Sequence, residues 1–156
     1  MDNVNSNVIK ALNDLVETAR DGQKGYETAA EAVQDPRLKT EFHRFAQQRS
    51  TFLTELENTA RQLGGSTQDT TTVEGVALQA AGAVHRGWIN LKSAIGANDS
   101  KAILSECENG DEAALKAYDN ALQEKSLPVE TLTIIQRQKQ EIQAAKQTIT
   151  SLKQGL

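Results

Sequence analysis

The sequence predicts an all-α fold, a bundle of long antiparallel helices, and three observations carry that prediction. Hydrophobic residues make up 38% of the chain and aromatic residues only 4%, with two prolines in 156 residues, so aliphatic positions follow one another with few breakers. Alanine, glutamine, lysine, glutamate and leucine, all good helix formers, fill most of the space between them. The apolar positions step by threes and fours, the period of one helical face. The length suits a single domain over residues 1–156 with a real core.

Five helical segments are expected. The first runs from about Asn5 to Val33 with the stripe Val8, Leu12, Leu15, Ala19, Gly22, Tyr26, Ala29, Val33. Asp35-Pro36 ends it, the aspartate able to cap and the proline able to open the next helix. The second, Pro36 to Leu63, places Leu38, Phe42, Phe45, Arg49, Leu53, Leu56, Ala60 and Leu63 on one face. Gly64-Gly65 stops it. Ser66 to Thr72 is polar and without pattern.

The third segment, about Val73 to Ile95, is rich in small residues and carries the stripe Val73, Ala77, Ala80, Val84, Trp88, Leu91, Ile95. Gly96 to Ser100 terminates it and supplies caps for the fourth, which runs from Ser100 to about Lys125 through Leu104, Glu108, Asp111, Leu115, Tyr118 and Leu122. The fifth begins near Pro128 and continues through Leu132, Ile135, Gln138, Ile142, Ala145, Ile149 and Leu152. The four–three alternation of these last two suits closely packed antiparallel helices.

The first, second, fourth and fifth segments are each about 26 residues, or roughly 40 Å long. Short turns pair them into two hairpins, and about 35 residues containing the third helix lie between. That is the arrangement of a ferritin-like antiparallel four-helix bundle with an additional helix in the long crossover connection. A plain five-helix up-down bundle is the alternative.

The residues also resemble a known family. The runs Thr18-Ala19-Arg20-Asp21-Gly22-Gln23-Lys24-Gly25-Tyr26-Glu27, Asp35-Pro36-Arg37-Leu38-Lys39 and His85-Arg86-Gly87-Trp88 are similar to those of a bacterial ferritin-like family of unknown function. Glu106-Cys107-Glu108 with Ala113-Ala114-Leu115-Lys116-Ala117-Tyr118 adds to the likeness, which covers nearly the whole chain. The resemblance implies a four-helix core, often with self-association, and in some cases a link to stress-related gene sets. It implies no reaction. A histidine near the position of Lys146 belongs to the family pattern, and the lysine here departs from it.

Ferritin-like di-iron sites need a glutamate from each of two helices and a Glu-x-x-His pair from each of the other two, because i and i+3 share a helical face. No Glu-x-x-His occurs, and Glu41 and His43 are spaced so that their side chains diverge. A standard ferroxidase centre is therefore not expected. A reduced metal site is the alternative: counting residues from the hairpin turns puts Glu27, His43 and Glu108 at similar heights, where they would converge on one iron or other transition-metal ion. The preferred reading of this level is a buried polar layer. Arg49 falls within about 3 Å of Asp111 and Glu112 in height. A buried arginine needs a carboxylate, from Asp111 or Glu108, and Gln138 would join the layer.

His85 and Trp88 form a conspicuous pair that would line a ligand pocket or partner surface, or else anchor the crossover. Gly22 and Gly25 cost helical stability and are expected to permit a close approach or a kink. Cys107 is expected to be a buried, structural thiol, with its neighbouring carboxylates raising its pKa.

The net charge of −4 and the lack of a basic face argue against nucleic-acid binding. One cysteine and a start without leader features suggest the cytoplasm, and no stretch has the length of a membrane span. The function expected is non-enzymatic, exerted through self-association as a homo-oligomer or through a protein partner and without a cofactor. The alternative is a divergent metal-binding protein.

Overall fold

A computed structural model of the chain describes residues 2–65 and 87–156, with side chains from residue 5 onward. Among the described residues there are five helices and no strand: α1 (Asp2–Ala32), α2 (Pro36–Gln62), α3 (Leu91–Gly96), α4 (Ser100–Leu122) and α5 (Val129–Gln154).

The punctuation is set by local chemistry. Asp35 caps α2 by accepting a hydrogen bond from the Arg37 backbone N–H at 2.9 Å, and Pro36 takes the first position, where no donor is missed. At the other end Gly64 has φ +86°. Its N–H reaches the Arg61 carbonyl at 2.9 Å, and that of Gly65 reaches the Ala60 carbonyl at 2.8 Å. These paired bonds close the helix in a Schellman motif. Asp99 caps α4 through the N–H groups of Lys101 and Ala102.

The stripe read along α1 is buried at each of its eight positions, from Val8 to Val33. That of α2 is buried except at Leu53 and Leu63, which are half-buried. On α4 the expected Leu104, Asp111 and Tyr118 are buried, but the buried face extends to one side of the expected stripe. Ile103, Glu106, Cys107, Gly110, Ala114 and Ala121 are buried, whereas Glu108, Leu115 and Leu122 are only half-buried. The helix packs on both α1 and α5, and its Gly110 lies against Trp88.

Two hydrophobic clusters give the directions of the helices. One joins the C-terminal half of α1 (Tyr26 to Val33) to Leu38–Ala46 of α2, Ile103–Cys107 of α4, and Ala145 and Ile149 of α5. The other joins Val8–Ala19 of α1 to Phe52–Ala60 of α2, Ala114–Ala121 of α4, and Ile135 and Ile142 of α5. If α1 runs up, then α2 runs down, α4 down and α5 up. The closest associations are α1 with α2 and α4 with α5, and α1 also lies along α4.

The third expected segment needs correction where it is described. Residues 73–86 lie outside the described residues, but no single helix continues through to Ile95. Gly87 has φ +96° and residues 87–90 form a turn, so only Leu91–Gly96 is helical. A side chain at Gly87 would meet the Asn109 carbonyl oxygen at 2.4 Å, so both the dihedral and the space require glycine. Gly65 lies against Ile9 near the foot of α1, while Trp88 lies against Gly25. At about 1.5 Å of rise per residue, those two points on α1 are roughly 24 Å apart.

Candidate functional site

Among the described residues, one buried ion pair crosses the interior. Arg49 of α2 is 2% exposed and Asp111 of α4 is fully buried; Nη1 of the arginine donates to Oδ1 of the aspartate at 2.8 Å. The Tyr26 hydroxyl of α1 donates to the other carboxylate oxygen at 2.6 Å. The guanidinium also lies 5.2 Å from the Tyr26 ring centroid, and its Nε donates to Gln48 at 3.1 Å. Burial works against the charge of Arg49, but Asp111 and Tyr26 outweigh it and raise its pKa. Burial, with Asp111 and Cys107 beside it, pushes the Tyr26 phenol well above its ordinary value. The cluster thus holds a permanent cation, a carboxylate with both oxygens accepting, and a neutral phenol.

Gly22 explains how an arginine fits there. A Cβ at that position would stand 3.2 Å from Nη1 and 3.3 Å from Cγ of Arg49. The glycine in α1 is the floor on which the guanidinium lies.

A second polar group lies lower. The Tyr118 hydroxyl donates to Oε1 of Gln138 at 2.5 Å, and Nε2 of Gln138 donates to Glu55 at 2.7 Å. Arg137 closes the group by pairing with Glu55. Burial opposes ionisation of Glu55, yet the hydrogen bonds from Arg137 and Gln138 hold its carboxyl below the usual range. Burial raises the Tyr118 phenol.

The third feature is Trp88, which is 2% exposed. Its indole lies across the α1–α4 seam where Gly25 and Gly110 face it. A Cβ on Gly25 would come within 2.5 Å of the ring, and one on Gly110 within 2.1 Å. Tyr26 meets it edge-on at 5.0 Å between centroids. The turn before α3 is fastened by the Asn90 N–H, which donates to Oε2 of Glu106 at 3.0 Å.

The expected site residues are distributed accordingly. Arg49, Asp111 and Gln138 are buried, with Arg49 on Asp111 and Gln138 in the lower group. Glu112 is exposed and pairs with Lys146 at 3.6 Å, so it stands outside the layer. Glu108 is no partner of Arg49; it accepts from Thr150 at 2.5 Å and Lys153 at 2.9 Å, which outweigh partial burial and lower its pKa.

The structure separates Glu27, His43 and Glu108. Glu27 is exposed and accepts from Gln23, and His43 is exposed. Each follows a fully buried aromatic, Tyr26 or Phe42, by one residue, a rotation of about 100° around the helix axis. Equal height does not make side chains converge when the helical phase turns them outward. Among the described residues no group of three or more His, Cys, Asp or Glu side chains could hold a metal ion. Cys107 is fully buried, and burial, ahead of Asp111 and the flanking glutamates, raises its thiol pKa well above the ordinary value. His85 lies outside the described residues.

Sequence reasoning did not find Tyr26, Glu106, Glu55 or Gly110. Tyr26 was legible only as a stripe residue. Gly110 carried a signal, since a glycine inside a helix with ordinary dihedrals needs a reason of space.

These features define an all-α helical-bundle domain whose interior polar side chains join one helix to another. The family described as Domain of unknown function (DUF2383) matches residues 7–124, from α1 to just beyond α4. The chain belongs to that family. No curated protein matches it. Among the described residues, no helix is long and apolar enough to cross a membrane.

Proposed function

We propose that the chain is a ferritin-like bundle that acts without catalysing a reaction, through self-association or a protein partner, in a stress-related cytoplasmic setting. The observation that carries this reading is that two sets of buried and half-buried polar side chains bond to one another across helices, with Arg49 Nη2 buried and left without a partner. Arg49, Asp111 and Tyr26 bridge α1, α2 and α4, and Tyr118, Gln138 and Glu55 bridge α2, α4 and α5. Such groups specify which helices meet and at what register. A catalytic base or nucleophile instead needs a reacting atom within reach and a pKa matched to its task. Cys107, Tyr26 and Tyr118 are pushed the other way, toward their neutral forms.

The up-down-down-up order supports the ferritin-like assignment, because a bundle whose second core helix is followed by a long return has that order. The stress-related setting rests on the family resemblance. The reading is tested by light scattering on untagged protein across a concentration series, together with capture of partners from native extract by a tagged chain. A defined multiple of 17.0 kDa or a stoichiometric partner is expected. A strictly monomeric chain that captures nothing would sink it.

A further inference from the structure

We propose that the core is a binding site for one resident water molecule, held between Nη2 of Arg49 and the hydroxyl oxygen of Tyr118, which joins the two interior polar groups into one network. This goes beyond the association reading and does not depend on it.

The first observation is an unpartnered donor. Arg49 is 2% exposed, and two of its three guanidinium nitrogens are used, Nη1 on Asp111 and Nε on Gln48. Nη2 is buried and meets no acceptor among the described residues. An arginine cannot shed a proton to relieve that position. Buried polar groups in folded proteins are satisfied by protein or by ordered water in the large majority of cases.

The second is an acceptor with capacity to spare. The Tyr118 hydroxyl gives its proton to Gln138 at 2.5 Å, and a phenol oxygen that donates can still accept. Asp111 and Tyr118 lie seven residues apart on α4, two turns along one buried face. Arg49 bonds to the first of them. Of the charged groups around the second, it acts most strongly on the phenol, ahead of Glu55 and Arg137. Arg49 and Tyr118 thus interact through space without bonding directly. Water, donor and acceptor at once, can link them.

Charge decides the occupant. Asp111 already neutralises Arg49, and burial keeps the Tyr26 and Tyr118 phenols in their neutral forms. An oxyanion on Nη2 would bury a second negative charge with no cation to match it. A metal cation would face the guanidinium. Water adds no charge, and with it one chain of hydrogen bonds runs through α1, α2, α4 and α5.

Water-selective cross-relaxation NMR on the nitrogen-15-labelled full chain tests this. Cross-peaks from water to the Arg49 Nη2–H protons and to the Tyr118 ring are expected, with the sign of a water held longer than the molecule tumbles. Tyr118→Phe is expected to weaken the Arg49 cross-peak several-fold while the Nη1–H signal on Asp111 stays in place. Should that variant not fold, the pair of wild-type contacts decides. Excess sodium formate is expected to move no Arg49 signal. The proposal is overturned by Arg49 Nη2–H protons without a water contact, or by a contact at Arg49 that has no counterpart at Tyr118. A cross-peak undiminished in Tyr118→Phe would also overturn it. So would a saturable shift of the Arg49 signals with formate, which would make the site one for an oxyanion.

Discussion

Arg49 keeps its charge in the core because Asp111 meets it at 2.8 Å and Gly22 leaves room for its stem. Removing one member of such a pair leaves the other buried and unpaired, which costs about 3–5 kcal/mol. Arg49→Met is therefore expected to lower the unfolding free energy by that order in a urea titration. The triple change Arg49→Met, Asp111→Leu and Tyr26→Phe should restore most of the loss, because a matched apolar cluster carries no desolvation penalty. A triple variant as unstable as the single one would mean that the pair adds stability in its own right. Height along the helices was legible in the sequence at this scale, and it placed Asp111 beside Arg49. Helical phase decided the rest. Glu108 shares nearly the same height but faces α5, where Thr150 and Lys153 hold it. The part played by Tyr26 was hidden because a tyrosine in an apolar stripe shows its ring and not its hydroxyl.

Carboxylates also fasten pairs of helices, and here pH is the probe. Glu55 ties α2 to α5, and Glu108 ties α4 to α5; both have folded pKa values below the ordinary 4.5. Each is ionised more readily in the folded state, so its contribution is present above the unfolded pKa and is lost as pH falls through the folded value. The urea midpoint is expected to drop as pH goes below 4.5, and Glu55→Gln with Glu108→Gln should flatten that dependence. An unaltered slope in the double variant would shift the acid sensitivity to other groups. The boundaries of α1, α2, α4 and α5 were legible because caps and breakers mark them, Asp35-Pro36 and Gly64-Gly65 above all. The short α3 was not, since an apolar period runs through Gly87 on paper. The left-handed dihedral and the close Asn109 carbonyl interrupt it in space. The face of α4 was legible in part, at Leu104, Asp111 and Tyr118; Gly110, Ala114 and Ala121 were missed because a hydrophobic stripe underweights glycine and alanine.

At the scale of the molecule, two antiparallel hairpins lie against each other and are joined through buried polar groups. The sequence made the hairpins legible through turn spacing, and it favoured a returning connection because some 35 residues separate them. Which end of α1 meets which end of α4 depends on long-range contacts that no local pattern encodes. The two clusters supply it, one at each end of the bundle. The most direct test is a spin-label distance between cysteines placed at Glu31 and Lys101, exposed positions at the C-terminal end of α1 and the N-terminal end of α4. The native Cys107 is buried and is replaced by alanine for the measurement. Up-down-down-up order puts the labels at the same end, on neighbouring helices about 8–10 Å apart, and predicts a distance under about 25 Å once the label arms are included. A distance near 40 Å, about the length of a bundle helix, would place α4 the other way up and contradict the account.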